Sequence, residues 1–494
     1  MTTENYKSIA KKLKFEGRAF INGKYVDAID GKKFENINPA TGEKLCAVTK
    51  CNHKDVDLAV KVARKAFESG VWSKTAPEFR KEILLKFAEL LRKHGKENSV
   101  LECVDTGKLI NDCLNEVGND TPMHFQWYAE LIDKTFGKVS ATDPSITSLI
   151  VKEPIGVVAG VVPWNFPLMM AVWKAAPALA AGCSVIIKPA EDTPLSALRI
   201  AQIAKEAGIP DGVFNVVPGF GDVGEALGRH NDVDAVSFTG STEVGGLFMK
   251  YSGESNLKTI GLEMGGKSPF LVLEDAKIND TLIDNAINSA FWNGGQNCSA
   301  NMRQIIHNKV KDEFLDKILK RVKNIKVGDP LDTETNMGSM ISKGHLAKVD
   351  GYIQKGIDEG ASILHGGVSD SNQKGFFAKP TLFDNVKENM TIAQDEIFGP
   401  VLGVLTVNNT EEALKIAKNS KYGLHASVFT QDINKAFHIA KNLPCGTISI
   451  NTFSEGDIKT PFGGYKQSGS LSRDQGTEAL NQYLQTKTIW ISHS

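Results

Sequence analysis

"GVVAGVVPWNFPLMMAVWKAAPALAAGCSVIIKP" (Gly156–Pro189) decides the fold. Its two ends, "GVVAGVV" and "SVIIKP", are short apolar, β-branched runs with no polar alternation, as in strands buried on both faces. The stretch between them reads as a helix. Two such strands joined by a helix make a βαβ unit and predict a parallel sheet. Working outward, the unit repeats. "GVFNVV" (212–217), "AVSFTG" (235–240) and "PFLVLE" (269–274) are further apolar runs, with helical segments at "SALRIAQIAKEAG" (196–208) and "GEALGRH" (224–230). A second alternating region holds strands near "RQIIH", "GVLTV", "HASVFT" and "TISIN" between helices such as "DEFLDKILKRVKNI" and "TEEALKIAKNS". The expected fold class is α/β, with two doubly wound lobes. Ahead of them, "DVDLAVKVARKAF" and "FRKEILLKFAELLRKHG" show helical spacing, with Gly95 as a stop. "ITSLIVKEP" (146–154) and "LQTKTIWIS" (484–492) fit neither lobe. They read as an outlying β arm for oligomerisation, or as strands that cap the main sheet.

Composition removes several function classes. The chain has 494 residues, 41% hydrophobic and 23% charged, with a formal net charge of −1. No basic footprint for nucleic acid exists. No apolar run reaches the roughly 20 residues that span a bilayer. The N-terminal "MTTENYKSIAKKLKFEG" lacks the apolar region of a secretory signal. Seven scattered cysteines without C-x-x-C spacing suit reduced thiols in the cytoplasm and no metal, with room for one reactive thiol.

The residues suited to chemistry sit in glycine-rich loops and at strand ends. "NGGQNCSANMR" (293–303) sets Cys298 in a polar, Gly-rich loop, a better place for an accessible thiol than for a packed one. "LEMGGKSP" (262–269) places Glu263 at the carboxyl end of an apolar run, where doubly wound sheets keep their sites. "VVPWNFP" (161–167) offers the Asn165 amide as an oxyanion donor or as a turn residue. "SFTGSTEVG" (237–245) opens a helix with Gly240 and Ser241, a natural anion site. "VIIKPAEDTP" (185–194) offers Lys188 and Glu191 as a ribose-binding pair. "NVVPGFGDVGEAL" (215–227) spaces Gly219, Gly221 and Gly224 as G-x-G-x-x-G, the dinucleotide fingerprint in form. Its acid, expected about 20 residues on, falls on Glu243 inside the "FTGSTEVG" turn.

Seven motifs in order, "PWNFP", "KPAE", "FTGSTEVG", "LEMGGKSP", "GQNC", "EIFGPV" and "PFGGYKQSG", make the chain resemble the NAD(P)-dependent aldehyde dehydrogenase superfamily from about residue 18 onward. "WYAELIDKTFGKV", "EGD…PFGGYKQSG" and "KTIWIS" carry a narrower resemblance to the bacterial γ-glutamyl-γ-aminobutyraldehyde dehydrogenases of putrescine breakdown. The resemblance implies a Rossmann-like cofactor domain (1–134 and 157–266), a catalytic domain (267–480) and an oligomerisation arm (135–156 and 481–494). It implies Cys298 as nucleophile, Glu263 as general base and Asn165 as oxyanion donor. It places Pro163, Trp164, Lys188, Glu191, Gly221, Gly240, Ser241, Val244, Glu396 and Phe398 around an NAD cofactor, with Glu191 disfavouring the added phosphate of NADP. For substrate it points to Glu116, Asp120, Glu455 and Asp457 as an acidic tunnel for an aminoaldehyde, with Phe166, Trp173 and Phe453 as apolar walls. Those acids could equally be solvated surface charges. The implied partners are a small aldehyde and further copies of the chain, as homodimer or homotetramer, with no nucleic acid and no membrane.

The chain departs from the pattern in four places, one of them Met264 for a common leucine, an exchange expected to be neutral. Asn301 replaces a glycine after the nucleophile and is expected to take up a left-handed turn. "SGSLSRDQG" carries an extra residue around Leu471 and puts Asp474 where a glutamate is usual, which leaves a water-relay role for Asp474 in doubt. The 219–224 loop is one residue short. A broad aliphatic or betaine-type aldehyde dehydrogenase is the alternative enzyme, and a catalytically idle relative the alternative of another class.

Overall fold

The computed structural model describes residues 2–370 and 373–493. The opening βαβ unit lies at the centre of a seven-stranded sheet. Its order is Thr259–Met264, Ala235–Gly240, Val157–Val161, Ser184–Lys188, Phe214–Val216, and then the short strands Ala19–Ile21 and Lys24–Val26. The first five run parallel, and the N-terminal pair is antiparallel. Three-residue strands give no periodic signal, so that edge is illegible in the sequence. The Pro167–Ala181 helix is buried along its whole length, which its all-round apolar composition requires. It stops at Gly182, whose φ of 101° suits glycine.

A second seven-stranded sheet runs Ser362–His365, Thr381–Asp384, Val401–Val407, Arg303–His307, Pro269–Val272, His425–Phe429 and Thr447–Ile450, parallel except at its first strand. "PFLVLE" therefore belongs to this sheet, and Thr259–Met264 is the last parallel strand of the first. The fold is the expected α/β class with two doubly wound sheets. The two arm segments pair with each other: Leu484–Ser492 lies antiparallel on Ile146–Pro154, with Lys138–Ser140 beyond. They do not cap a main sheet.

One helix departs from regularity. Ile110–Asn115 is α-helical, Glu116–Asp120 is a π turn, and Thr121–Leu131 resumes the α-helix. Pro122 has no N–H to continue the ladder, and wide turns of this kind are a known response. No helix among the described residues is long and apolar enough to cross a membrane.

Candidate active site

The carboxyl ends of Val157–Val161, Ala235–Gly240 and Thr259–Met264 open on one cavity of 490 Å³. Cys298, Glu263, Asn165 and Glu396 all line it, although they come from four separate segments.

The loop that carries Cys298 is built from unusual backbone. Asn293, Gly294 and Gly295 have φ of 51°, 63° and 70°. A side chain at Gly295 would come within 2.6 Å of the Gly399 carbonyl. Amides then lock the loop to the "PWNFP" turn. Asn293 Nδ2 donates to the Asn165 carbonyl (3.0 Å), and Asn165 Nδ2 donates to the Gln296 carbonyl (2.9 Å). An amide nitrogen has two protons, so Asn165 keeps one N–H for another acceptor. Cys298 is half-buried, with Sγ 3.7 Å from Asn297 Oδ1. Burial pushes its thiol well above the usual value, and the carboxylates of Glu455, Glu396 and Glu263 push the same way.

Glu263 is the second-last residue of the Thr259–Met264 strand, buried, with neither carboxylate oxygen bonded to protein. Burial raises its pKa well above the usual carboxylate value; Asp474 adds to this, and Lys174 and Arg473 oppose it. Gly463 has to be glycine here, because a Cβ would lie 2.7 Å from Glu263 Oε1 and 2.6 Å from Arg473 Cδ. The extra residue is absorbed in a bulge. Leu471 is 99% exposed, while the Ser470 and Ser472 hydroxyls on either side both accept from the Leu262 N–H (3.1 and 3.0 Å). Asp474 is buried and ion-paired with Lys174 beside Glu263.

Of the residues expected around the cofactor, Pro163, Trp164, Gly240, Ser241, Glu396 and Phe398 line the cavity, and Lys188, Glu191, Gly221 and Val244 lie outside its lining. Lys188 is buried at a strand end and meets Glu191 at 3.3 Å. Gly240 and Ser241 line the cavity, and Ser241 caps the Thr242–Gly253 helix by accepting from the Val244 N–H at 3.3 Å. Glu396 accepts from the Gly266 N–H (3.0 Å), and a side chain at Gly265 would collide with its carboxylate. Burial pushes Glu396 up to about 7. Phe398 has a φ of 60° and packs edge-on against Trp164 at 5.2 Å, with Pro163 beside them on the cavity wall. The orphaned Thr239 hydroxyl, the capped helix start and the Glu396 cradle are a donor and acceptor set that fits a dinucleotide. Gly221 opens the Gly221–Arg229 helix away from the cavity lining. The Val244 side chain is 39% exposed.

Two further lining residues were missed in the sequence. His345 and Lys348 line the cavity from the Lys343–Asp358 helix. His345 Nε2 donates to the Phe398 carbonyl (2.6 Å), and burial lowers its pKa to about 4. Ser342, which caps that helix, was the available signal.

The four acids expected in the tunnel have four different surroundings, though all line the cavity. Glu116 is buried against Lys108 as an ion pair, and burial pushes it up to about 8, so this pair offers no net negative charge. Glu455 accepts from Ser299 Oγ and from Asn297 Nδ2 (3.1 Å). Asp457 is exposed and paired with Lys459 at 3.1 Å. Only the Asp120 carboxylate has no hydrogen-bond or ion-pair partner, and burial alone raises its pKa. Phe166 and Trp173 line the cavity, but Phe453 does not; its ring packs edge-on against His425 at 5.2 Å. Asn301 also corrects the expectation. It is not at positive φ. It is buried and bonds Ser299 O (3.3 Å), His425 Nδ1 (3.2 Å) and Ser427 Oγ (2.8 Å).

Known proteins share this arrangement over the whole length. The aldehyde dehydrogenase family profile matches residues 25–489. Aminoacetaldehyde dehydrogenase of Pseudomonas aeruginosa is 45% identical over 495 residues, covering 100% of this chain and 99% of that protein. The NADP/NAD-dependent aldehyde dehydrogenase PuuC of Escherichia coli is 43% identical, covering 98% and 97%. The crystal structure of γ-glutamyl-γ-aminobutyraldehyde dehydrogenase from Burkholderia cenocepacia superposes with a TM-score of 0.97 at 43% identity, covering 100% of both chains. With sequence and fold in agreement from end to end, the chain belongs to the aldehyde dehydrogenase family.

Proposed function

We propose that this enzyme oxidises an aminoaldehyde, free or acylated as in γ-glutamyl-γ-aminobutyraldehyde, to the free acid with NAD. The observation that carries the substrate class is Asp120, which among Glu116, Asp120, Glu455 and Asp457 is the one whose carboxylate has neither a hydrogen bond nor an ion pair in the protein. An uncompensated, half-buried carboxylate on an aldehyde tunnel favours a cationic substrate end. The names of two relatives, aminoacetaldehyde dehydrogenase and γ-glutamyl-γ-aminobutyraldehyde dehydrogenase, point the same way.

The chemistry follows from the site. The Cys298 thiol is protonated at rest, so its attack requires a base. Glu263, with both oxygens free and a raised pKa, can take that proton. Sulfur bonds to the carbonyl carbon, and the oxyanion that forms takes the spare Asn165 N–H and the Cys298 backbone N–H. A donor of that kind is worth on the order of 2.7–4 kcal/mol. NAD, when bound, supplies the hydride acceptor that turns this thiohemiacetal into a thioester. Glu263 releases the thiol proton to solvent, and water then attacks the thioester carbon while the Glu263 carboxylate accepts the water's proton, which returns to sulfur as it departs. The carbon–sulfur bond breaks, and the acid leaves. Lys188, Glu191, Ser241, Glu396 and Phe398 would hold the dinucleotide, and Glu191 would repel a ribose phosphate.

The test is kcat/KM for 3-aminopropanal against butanal, each with NAD and NADP. We expect 3-aminopropanal to be preferred about tenfold, and Asp120→Asn to remove the preference. Equal values in the wild type would overturn the substrate reading. Equal or better use of NADP would overturn the role of Glu191.

A further inference from the structure

Beyond the π turn, the Thr121–Leu131 helix places His124 on the same cavity wall as Asp120. His124 Nδ1 lies 2.8 Å from the Asp120 carbonyl. A carbonyl only accepts, so Nδ1 carries the proton and Nε2 is left as a bare acceptor. The imidazole stacks on the Trp173 indole, with centroids 6.0 Å apart and planes at 25°. Trp173 also packs edge-on against Phe462 at 5.4 Å. Both residues are more than nine-tenths buried and both line the cavity. Neither His124 Nε2 nor Trp173 Nε1–H has a hydrogen-bond partner in the protein.

Buried polar atoms without partners are rare, because each forfeits its hydration. Here two adjacent rings carry one each, and the two are complementary: one accepts and one donates. Burial keeps His124 neutral, its pKa lowered to about 4, so the wall carries no positive charge. The charged groups that these elements bring to the cavity wall are Asp120 and Glu116, the latter closed against Lys108, while Lys174 beside Trp173 is closed against Asp474. A ligand group that satisfies both rings must itself donate and accept, and be uncharged.

We propose that His124 and Trp173 form a subsite for a secondary amide in the substrate chain, the amide carbonyl accepting from Trp173 Nε1–H and the amide N–H donating to His124 Nε2. The substrate class is then an N-acylated aminoaldehyde, with Asp120 serving any cationic end. This rests on the cavity being the aldehyde tunnel of the proposed function.

The experiment compares 4-acetamidobutanal with heptanal, its all-carbon counterpart, with NAD. We expect kcat/KM to favour the amide by about tenfold or more, and His124→Phe or Trp173→Phe to lower that ratio by about tenfold. A ratio near one in the wild type, or a ratio unmoved in both variants, overturns the subsite. Should the variants fail to fold, inhibition of the wild type decides. N-propylacetamide should bind about tenfold more tightly than hexan-2-one, and equal inhibition overturns the proposal. Failure to oxidise any aldehyde overturns the proposed function instead, so the two failures are distinct.

Discussion

Cys298 sits among three carboxylates that all disfavour its thiolate. Glu455 is the first of these, and it also holds Asn297 and Ser299 on either side of the nucleophile. Removing its charge should lower the thiol pKa. The rate of iodoacetamide alkylation of Glu455→Gln should therefore rise at lower pH than in the wild type; an unshifted profile would show that Glu455 has no electrostatic hold on the thiol. Glu263 gives a second prediction. Its raised pKa means that it loses its proton at higher pH than a free carboxylate near 4.3. Activity should accordingly fall on the acid side well above that value, and Glu263→Gln should retain less than about 1% of steady-state turnover, measured as NADH production. Both residues were legible in the sequence because a Gly-rich loop and a strand end are the places that expose side chains. His124, Trp173 and His345 were illegible as polar groups, since their meaning lies in partners that they lack or find across the fold. Asn301 was misread for a related reason. A Gly-to-Asn exchange suggests a left-handed turn, but only the backbone determines φ, and here the residue serves as a buried hydrogen-bonding hub.

Elements explain how those residues are held. The Asn301 hub ties the loop after Cys298 to the His425–Phe429 strand, and His425 in turn reaches the Ser454 carbonyl at 3.0 Å, next to Glu455. Asn301→Gly removes this brace without relieving any backbone strain. We expect a loss of about 1–3 kcal/mol, read as a lower Tm, with a larger fall in kcat than in KM. A Tm unchanged within error would mean that the network is dispensable. The Leu471 bulge shows the opposite economy. One added residue is ejected into water, the neighbouring serines close beneath it, and the Asp474–Lys174 pair is buried. Sequence alone flagged the insertion but could not say which residue would leave the register, because the answer depends on the Leu262 N–H across from it.

At the scale of the whole molecule, alternating apolar runs were enough to read two parallel sheets. The short antiparallel edge and the π turn were not readable, being too brief for any periodicity. The arm leaves an exposed edge: Leu484–Ser492 pairs on one side only, and Trp490 is 64% exposed. An edge of this kind invites a partner strand. We expect the wild type to run as a dimer or tetramer in light scattering, and Trp490→Glu together with Ile491→Lys to shift it towards monomer. A wild-type monomer would end the arm's oligomeric role.

The surroundings of Glu263 have a consequence for how the chain is made. Its strand is flanked by the segment that follows the second sheet: Gly469 bridges Glu263, the Ser468 carbonyl takes the Met264 N–H at 2.8 Å, and Asp474 reaches back to Lys174. During synthesis the thiol loop (293–303) emerges before the 468–474 segment does. A nascent or truncated chain would hold the nucleophile without the finished pocket of its base. Hydrolytic turnover should therefore require the 468–474 segment, and fragments ending before residue 468 should be inert as dehydrogenases even where their sheets have formed.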